Sequence, residues 1–188
     1  MTAVLPERDL DVLDVVRSVH DDLDLPEGYR AEIIGCQIAV SASPFGKHAL
    51  IVRRIERAVG DVLPPDYEVF ENTTLEEPEG DRYIPDLAVW PIPLIETDVQ
   101  WIFPASECLF VLEVTSPGQQ ARDRSKANGY ARGGVPTHFL ADRSARECVV
   151  FSDPMDSSYR TTTVFKFGEI VPLAFPGGST ARIDTSAF

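Results

Sequence analysis

Apolar and polar residues follow one another in blocks along this chain, and the spacing within the blocks predicts helices and strands. Apolar residues recur at helical spacing over residues 9–25, on a segment whose outer face is acidic. A second helical stripe over residues 47–63, ended by Pro64-Pro65, predicts the clearest helix. A third helix is predicted within residues 116–134, ended by Gly133-Gly134.

Short runs of β-branched and aromatic residues predict the strands. They are YRAEIIGCQIAV (29–40, with Gly35 marking a turn or bulge), YEVFENTTL (67–75), YIPDLAVW (83–90), CLFVLEVT (108–115), THFLAD (137–142), ECVVFSD (147–153) and SYRTTTVFKF (158–167), followed by a C-terminal strand and loop. The Pro-rich residues 91–107 are predicted to form an ordered loop. Because a helix separates residues 108–115 from 137–142, we expect those strands to pair in parallel. The order predicts an α/β (α+β) fold, a mixed sheet flanked by helices.

Composition places the chain among ordinary globular proteins. With 188 residues, 44% hydrophobic and 25% charged, it can build one substantial core. We therefore expect a single domain over residues 1–188, with residues 1–28 as an acidic helical extension. The sequence has no apolar run of membrane-spanning length, and its first residues are acidic where a signal peptide is basic, so we expect a cytoplasmic protein that does not enter a membrane.

Charge is distributed unevenly. The formal net charge is −13, which disfavours unspecific binding to nucleic acid. Residues 1–28 carry eight acids and two bases, a local charge of −6, whereas residues 119–146 carry six bases and two acids, a local charge of +4. The basic segment is therefore the part we expect to face a phosphate backbone.

The three cysteines, Cys36, Cys108 and Cys148, are widely spaced and each lies in an apolar run. We expect buried free thiols rather than a disulfide or a metal site.

Two carboxylates stand out because each interrupts an apolar strand. Asp86 lies in YIPDLAVW and Glu113 in FVLEVTSPG. A buried carboxylate must be neutralised, paired or bound to a cation. One interpretation is that each lies at an exposed strand end or pairs with an arginine such as Arg82. The other is that both bind a hard divalent ion such as Mg²⁺.

The helix after the Glu113 strand carries a matching set of polar residues. Asp123, Lys126 and Tyr130 are spaced three and four apart, so they share one helix face, which can turn back over the end of the strand. Lys126 could then orient a water or stabilise charge on a phosphate. The alternative is a solvated surface lysine.

Together these residues resemble a known family. The elements "PD", "EVTS", D-x-x-K-x-x-x-Y-x-x-x-GVP and "FLAD", with AEIIGCQIAVSASPFGKHALIVRRI upstream, are similar to the Uma-two family, restriction-endonuclease-like members of the PD-(D/E)XK nuclease superfamily. The similarity runs from about residue 30 to residue 142. It implies a mixed sheet with flanking helices, a divalent metal (Mg²⁺ or Mn²⁺) and hydrolysis of phosphodiester bonds.

The resemblance assigns the core of the site. Asp86 and Glu113 correspond to the two motif acids, and a backbone carbonyl at Val114 or Thr115 would be a further metal ligand. The superfamily lysine belongs two residues after the second acid, where this chain has Thr115. Lys126 is the candidate that replaces it.

It also suggests supporting residues. Glu32 would be an additional acid, although it equally fits a half-exposed strand position. His48 matches a family histidine and would have a catalytic or substrate-binding role, although a histidine near a helix end often caps or packs. Asp123, Thr115 and Tyr130, with Gln119, would support the site, although Asp123 equally suits the first turn of its helix. Arg122 and Arg124 belong to the basic segment, and we expect them to contact substrate.

These residues predict a Mg²⁺-dependent endonuclease acting on DNA, most simply as a homodimer because both strands must be cut. Two other functions stay open: a non-catalytic module that keeps the fold for binding or assembly, and a metal-dependent hydrolase of small phosphate esters.

Overall fold

The computed structural model describes residues 11–43, 46–96, 102–115 and 120–188, apart from the side chains of Gln120, Ala121 and Arg124. Within these ranges the helices are α1 (Val12–Asp21), α2 (Lys47–Gly60), α3 (Ile92–Ile95) and α4 (Gln120–Arg132). The strands are β1 (Tyr29–Ile34), β2 (Gln37–Ala42), β3 (Tyr67–Phe70), β4 (Thr74–Glu76), β5 (Arg82–Tyr83), β6 (Leu87–Pro91), β7 (Ile102–Pro104), β8 (Phe110–Val114), β9 (Thr137–Asp142), β10 (Glu147–Met155), β11 (Ser158–Lys166), β12 (Ile170–Ala174) and β13 (Thr180–Asp184).

The strands form three sheets. The largest has the order β11-β10-β9-β8-β6-β3, the second β2-β1-β5-β4-β7, and the C-terminal hairpin pairs β12 with β13. Strands β8 and β9 are parallel, with Phe110 opposite Thr137 and Val114 opposite Ala141, as the intervening helix α4 predicts. The predicted mixed α/β architecture with flanking helices is confirmed, although its strands are divided among three sheets.

The central strand β8 is buried on both faces, and its alternation decides where Glu113 points. Phe110, Leu112 and Val114 pack in one apolar cluster with α2 and the C-terminal hairpin. Val111 packs in the opposite cluster, which includes Tyr130 of α4. Because side chains two apart on a strand share a face, Glu113 lies on the Val111 side, toward α4.

Three expected elements differ in detail. The run predicted as one strand over residues 67–75 forms β3 and β4 in different sheets, because Asn72 has a φ of +59° that ends the extended backbone. The Pro-rich segment contains α3, β7 and a short 3₁₀ turn (Ala105–Glu107), with residues 97–101 outside the described ranges. The C-terminus is a two-stranded hairpin rather than one strand and a loop.

Both long predicted helices are shorter than their apolar stripes. Helix α1 begins after Asp11, whose side chain accepts a hydrogen bond from the Leu13 N–H, while residues 9 and 10 lie outside the described ranges. Helix α2 ends at Gly60, three residues before the stripe does. A stripe records which residues are apolar, whereas the helix ends where the backbone hydrogen bonds stop.

One cysteine was wrongly predicted to be buried. Cys108 and Cys148 are buried free thiols, but Cys36 is exposed in the turn between β1 and β2. Gly35 and Cys36 both have a φ of +58°, and the Asp81 carboxylate accepts their two backbone N–H groups at 2.6 and 3.1 Å. This turn places Cys36 beyond the strands, outside the apolar run that suggested burial.

Candidate active site

A buried lysine on α4 meets two carboxylates. Lys126 is 1% exposed, and its Nζ lies 2.9 Å from Glu113 Oε1 and 2.8 Å from Glu32 Oε1. One turn later the Tyr130 hydroxyl donates a 2.5 Å hydrogen bond to the same Glu113 oxygen. Helical spacing thus brings Lys126 and Tyr130 together on the end of β8, and the surface alternative for Lys126 does not hold.

Glu32 is fully buried on β1, so the half-exposed alternative for this residue is wrong. Its Oε1 also accepts the Ile84 N–H at 2.7 Å, which ties β1 to the residues just before β6. Its Oε2 is buried and has no hydrogen-bond partner among the described residues. An unpaired buried carboxylate oxygen is unfavourable and marks a place where a further cation would be stabilised.

Asp86 lies one residue before β6 rather than within a strand, and its two carboxylate oxygens have different partners. Oδ2 accepts the Val114 N–H at 2.8 Å and lies 2.8 Å from His48 Nε2, at the start of α2. Oδ1 lies 3.2 Å from an Arg30 nitrogen. Burial alone would raise the pKa of Asp86, but His48, Arg30 and the Val114 N–H together hold it below its ordinary value.

Arg30 is a site residue that the sequence motifs do not point to. Arg82, the arginine suggested as a partner for Asp86, binds Asp21 and Glu76 instead. Arg30 stands two residues before Glu32, on the same face of β1, and this period-2 spacing was the signal that could have found it. Its pKa is raised: burial opposes the charge, but Asp86, Glu113 and Glu32 outweigh that opposition.

The site carries more negative than positive charge. Four buried carboxylates, Asp86, Glu113, Glu32 and Asp123, lie near two fixed cations, Arg30 and Lys126. Burial raises the pKa of Glu113 to about 7; Lys126 opposes the rise, and the other three carboxylates add to it. Lys126 itself is buried, yet Glu113 and Glu32 raise its pKa, so it remains charged.

These residues fit a divalent cation in donor type and charge. Across the described ranges no group of three or more His, Cys, Asp or Glu side chains is already arranged as a metal site. Asp86 and Glu113 nevertheless offer the carboxylate oxygens that Mg²⁺ prefers, beside an unpartnered Glu32 oxygen, in a site with more carboxylates than fixed cations. Val114 contributes its N–H to Asp86, and the ligand role of its carbonyl stays a prediction.

Thr115 occupies the position of the missing lysine, but its hydroxyl serves a different contact. It donates to Asp142 Oδ1 at 3.3 Å and accepts the Arg143 N–H at 2.9 Å, which holds the turn between β9 and β10. Thr115 is 1% exposed, so the position has no room for a longer side chain.

We expect Thr115→Lys to lower the free energy of unfolding by about 2–4 kcal/mol without raising activity, because the larger side chain displaces both hydrogen bonds. Thr115→Val is the matched control, which removes the hydroxyl at nearly constant volume and should cost about 1–2 kcal/mol. Urea unfolding measures both. A Thr115→Lys protein as stable as the wild type, with higher activity, would contradict this account of the position.

The remaining predicted residues lie on the first turns of α4 or outside the description. Arg122 is half-buried and Asp123 is buried on the first turns of α4, while the Arg124 side chain and Gln119 lie outside the description. The basic segment is not a free cationic face. Besides Lys126, Arg132 binds Glu77 and Glu79, and Arg146 lies over the Phe167 ring.

A buried histidine lies behind Tyr130. His138 on β9 is fully buried, its ring is 5.0 Å from the Tyr130 ring and stacks on Phe151 at 5.1 Å, and neither ring nitrogen has a hydrogen-bond partner in the described chain. Burial, with a smaller contribution from Lys126, lowers the pKa of His138 to about 3.

This histidine predicts sensitivity to acid. The folded state keeps His138 neutral while the unfolded chain takes up a proton near pH 6.5, so the stability is full above that pH and falls as the pH is lowered. We expect a loss of about 2 kcal/mol between about pH 6.5 and 5, absent in His138→Phe. Urea unfolding of the wild type and of His138→Phe at several pH values measures it. An unchanged slope in His138→Phe would refute the assignment.

The mixed sheets, the flanking helices and the cluster of acids around a helix-borne lysine define a restriction-endonuclease-like protein. The chain belongs to the Uma2 family, whose model, described as "Putative restriction endonuclease", matches residues 19–184. The resemblance identified from the sequence motifs is therefore confirmed.

One solved structure shares this fold, and a second was compared with it. The crystal structure of "a putative nuclease belonging to DUF820" from Anabaena variabilis ATCC 29413 is 22% identical in sequence and superposes with a TM-score of 0.64, over 80% of this chain and 84% of that chain. NucC from E. coli MS115-1, in its apo form, is 16% identical, with 72% of this chain and 52% of that chain covered, at a TM-score of 0.32 that is too low to establish a common topology. A comparison with curated proteins finds no significant match.

Proposed function

We propose that this protein is a Mg²⁺- or Mn²⁺-dependent nuclease that hydrolyses phosphodiester bonds in DNA. The observation that carries the proposal is the placement of Lys126, which reaches Glu113 and Glu32 from the next helix although Thr115 replaces the motif lysine. Lys126 thus supplies, beside the acids, a protein cation that can stabilise charge on phosphate. Membership of the Uma2 family supports the same reaction class.

Each residue has a part that follows from its contacts. Asp86, Glu113 and the Val114 carbonyl would hold the metal ion, which when bound supplies charge stabilisation at the scissile phosphate and lowers the pKa of a water. Tyr130 donates its hydroxyl to Glu113 and fixes that carboxylate. His48 and the Val114 N–H orient Asp86.

Lys126 and Glu32 act next to that centre. The Lys126 ammonium has three N–H donors, and the two carboxylate contacts leave it a third for a water or a phosphate oxygen. Glu32 binds Lys126 through Oε1 and keeps Oε2 for a further ligand of the site. This arrangement holds a cation at the reacting group without a lysine at position 115.

The proposal is tested by incubating the purified protein with supercoiled plasmid and Mg²⁺ or Mn²⁺, beside a Glu113→Gln variant prepared in parallel. We expect nicking or linearisation by the wild type, abolished by chelation and by the substitution. Equal cleavage by both proteins would indicate a contaminating nuclease and overturn the proposal. Hydrolysis of a nitrophenyl phosphodiester without cleavage of DNA would indicate that the protein is instead a hydrolase of small phosphate esters.

A non-catalytic binding module is the second candidate. It is favoured by the partners that Asp86 already has: Arg30, His48 and the Val114 N–H engage both of its oxygens. The net charge of −13 is also unusual for a protein that must approach DNA over a wide surface. A protein that melts at the same temperature with and without Mn²⁺ and leaves DNA intact would support this candidate.

We also propose that the protein works in the cytoplasm as a homodimer, since two copies cut the two DNA strands most simply. Within the described residues no helix is long and apolar enough to cross a membrane. Sedimentation equilibrium of the intact chain tests the dimer, and a monomer at micromolar concentration would refute it.

A further inference from the structure

A cavity of about 270 Å³ opens beside Asp86. Its lining includes Arg30 from β1, Arg53 from α2 and Asp86 itself, together with Ser43, Glu71 and Asn72. The volume is slightly below the ~300–1,000 Å³ of pockets for drug-sized ligands, which suits a group as small as a phosphodiester. The cavity shares Asp86 with the site but none of the other acids.

Arg30 is the unusual member of this lining. The Arg30 side chain is 15% exposed, and one terminal guanidinium nitrogen lies 3.2 Å from Asp86. Its Nε is buried without a hydrogen-bond partner in the described chain. A guanidinium held by one oxygen, with another N–H unsatisfied, does not use its bidentate geometry. An anion that offers two oxygens to the guanidinium fork, as a phosphodiester does, would satisfy it better than the single Asp86 oxygen.

The other polar groups of the cavity are mostly donors. Arg53 is 57% exposed at the side chain and shares its charge between Glu56 and Glu71. Ser43 and Asn72 bring a hydroxyl and an amide to the same lining. Asp86 is the only carboxylate within hydrogen-bond distance of Arg30 among the described residues, so Arg30 loses this partner once Asp86 binds another cation.

We propose that this cavity is a phosphate-binding subsite for the nucleic-acid strand, with Arg30 as its main cation, released from Asp86 when a divalent ion takes that carboxylate. The inference rests on the proposed function for its metal and its polymer, but it adds a residue and a ligand class that the acid and lysine cluster does not contain. Arg30 then has opposite effects on two ligands. It competes with the metal ion for Asp86 and it attracts the substrate phosphate.

Because Arg30 is expected to weaken metal binding and to strengthen phosphate binding, one substitution should change the two affinities in opposite directions. In Arg30→Gln, calorimetric titration with Mn²⁺ alone should show metal binding tighter by on the order of tenfold, because a neighbouring positive charge is removed. Fluorescence anisotropy with a labelled single-stranded DNA oligonucleotide in Ca²⁺, checked by gel to remain intact, should show binding weaker by on the order of ten- to a hundredfold. Arg30→Lys should give smaller changes of the same signs.

Two further variants separate the subsite from general effects of charge and folding. Arg53 lines the same cavity but pairs with Glu56 and Glu71 rather than with Asp86. The Arg53→Gln variant should therefore bind the oligonucleotide more weakly and bind Mn²⁺ with unchanged affinity. Arg182→Gln, an arginine outside this cavity, should change neither by more than about twofold. Titration with sodium phosphate separates the sources of the anion, since the subsite should bind it far more weakly than the oligonucleotide.

Several results would overturn the inference: Mn²⁺ binding in Arg30→Gln that is weaker or unchanged, oligonucleotide binding that is unchanged, or sodium phosphate bound as tightly as the DNA. If Arg30 had a purely structural role, the Arg30→Gln variant would bind both Mn²⁺ and the oligonucleotide more weakly. The proposed subsite and the proposed nuclease activity can be refuted independently. A wild-type protein that binds Mn²⁺ and DNA with these Arg30 effects, yet cleaves nothing, would refute the nuclease and leave the subsite standing.

Discussion

Replacing Lys126 by methionine is expected to lower the free energy of unfolding by about 3–5 kcal/mol near pH 8. Methionine matches the length of the lysine stem, so the substitution mainly removes the charge. Glu113 and Glu32 then face each other's charge without the ammonium that lies 2.9 and 2.8 Å from them, inside a region where both are buried. Glu113 and Glu32 must then either take up a proton or repel each other, which destabilises the folded state. DNA cleavage should also be lost, because the Lys126 ammonium is no longer present.

Guanidinium unfolding followed by circular dichroism measures this loss, and cleavage is assayed well below the melting temperature so that folding and chemistry are read separately. Lys166→Met is the matched control, because Lys166 binds Glu147 at 2.9 Å but is 70% exposed at the side chain. An exposed pair contributes at most about 1 kcal/mol. The double variant Lys126→Met with Glu32→Gln should recover part of the stability, since it removes one of the stranded charges. Equal stability of the two lysine variants would contradict the buried role of Lys126.

Replacing Glu113 by glutamine is expected to have the opposite effect on stability and an equally large effect on activity. Cleavage should fall by on the order of a thousandfold, because a carboxylate proposed to hold the metal is lost and metal-ion charge stabilisation contributes several kcal/mol. The glutamine carbonyl can still accept from Lys126 and Tyr130, and Lys126 keeps Glu32 as a counter-charge. Near pH 8 the variant should melt at or above the wild-type temperature.

The direction follows from the pKa of Glu113, which burial, outweighing the opposing effect of Lys126, raises from its ordinary 4.5 to about 7. The folded state therefore binds this proton more strongly than the unfolded chain does, and the corresponding stability is present below about pH 4.5 and lost as the pH rises through about 7. Glutamine cannot ionise and escapes that loss, so the stability gain of the variant should grow between about pH 5 and 8. Melting temperatures across this range measure it, with Glu56→Gln on the surface of α2 as the control.

A Glu113→Gln protein that melts well below the wild type near pH 8 would mean that the Glu113 carboxylate forms a net stabilising pair with Lys126, and the charge excess described above would be wrong. The two predictions are linked by that excess. Removing a cation from a pocket with too many carboxylates destabilises it, whereas removing a carboxylate relieves it. A functional site that sacrifices stability for charge is a known pattern in enzymes.

Much of the site was predictable from local spacing. The order of residues places Lys126 and Tyr130 on one helix face, and the helix must cross from β8 to β9, so both side chains come back over the strand that carries Glu113. The two motif acids were recognisable because carboxylates among apolar residues are costly to bury, whereas Glu32 was suggested by the family resemblance. The functional roles of these residues remain predictions until the variants are measured.

The contacts of Asp86 were not predictable in the same way. Arg30 and His48 come from β1 and α2, 56 and 38 residues earlier in the chain, and no local period relates them to Asp86. Arg82, only four residues away, was the natural candidate, yet it binds Asp21 and Glu76 instead. Short strands and left-handed turns, such as those at Asn72 and Cys36, also divide elements that composition alone would join.

The sequence by itself determined which side chains would share a helix or strand face, because the periods of 3.6 and 2 residues are properties of the backbone. It therefore determined that Lys126 could stand in for the lysine missing at Thr115. Only the tertiary structure decided which charges meet. Arg30 reaches Asp86, and Thr115 turns to Asp142, because separate elements pack side by side and each buried polar group binds the partner that the packing brings within reach.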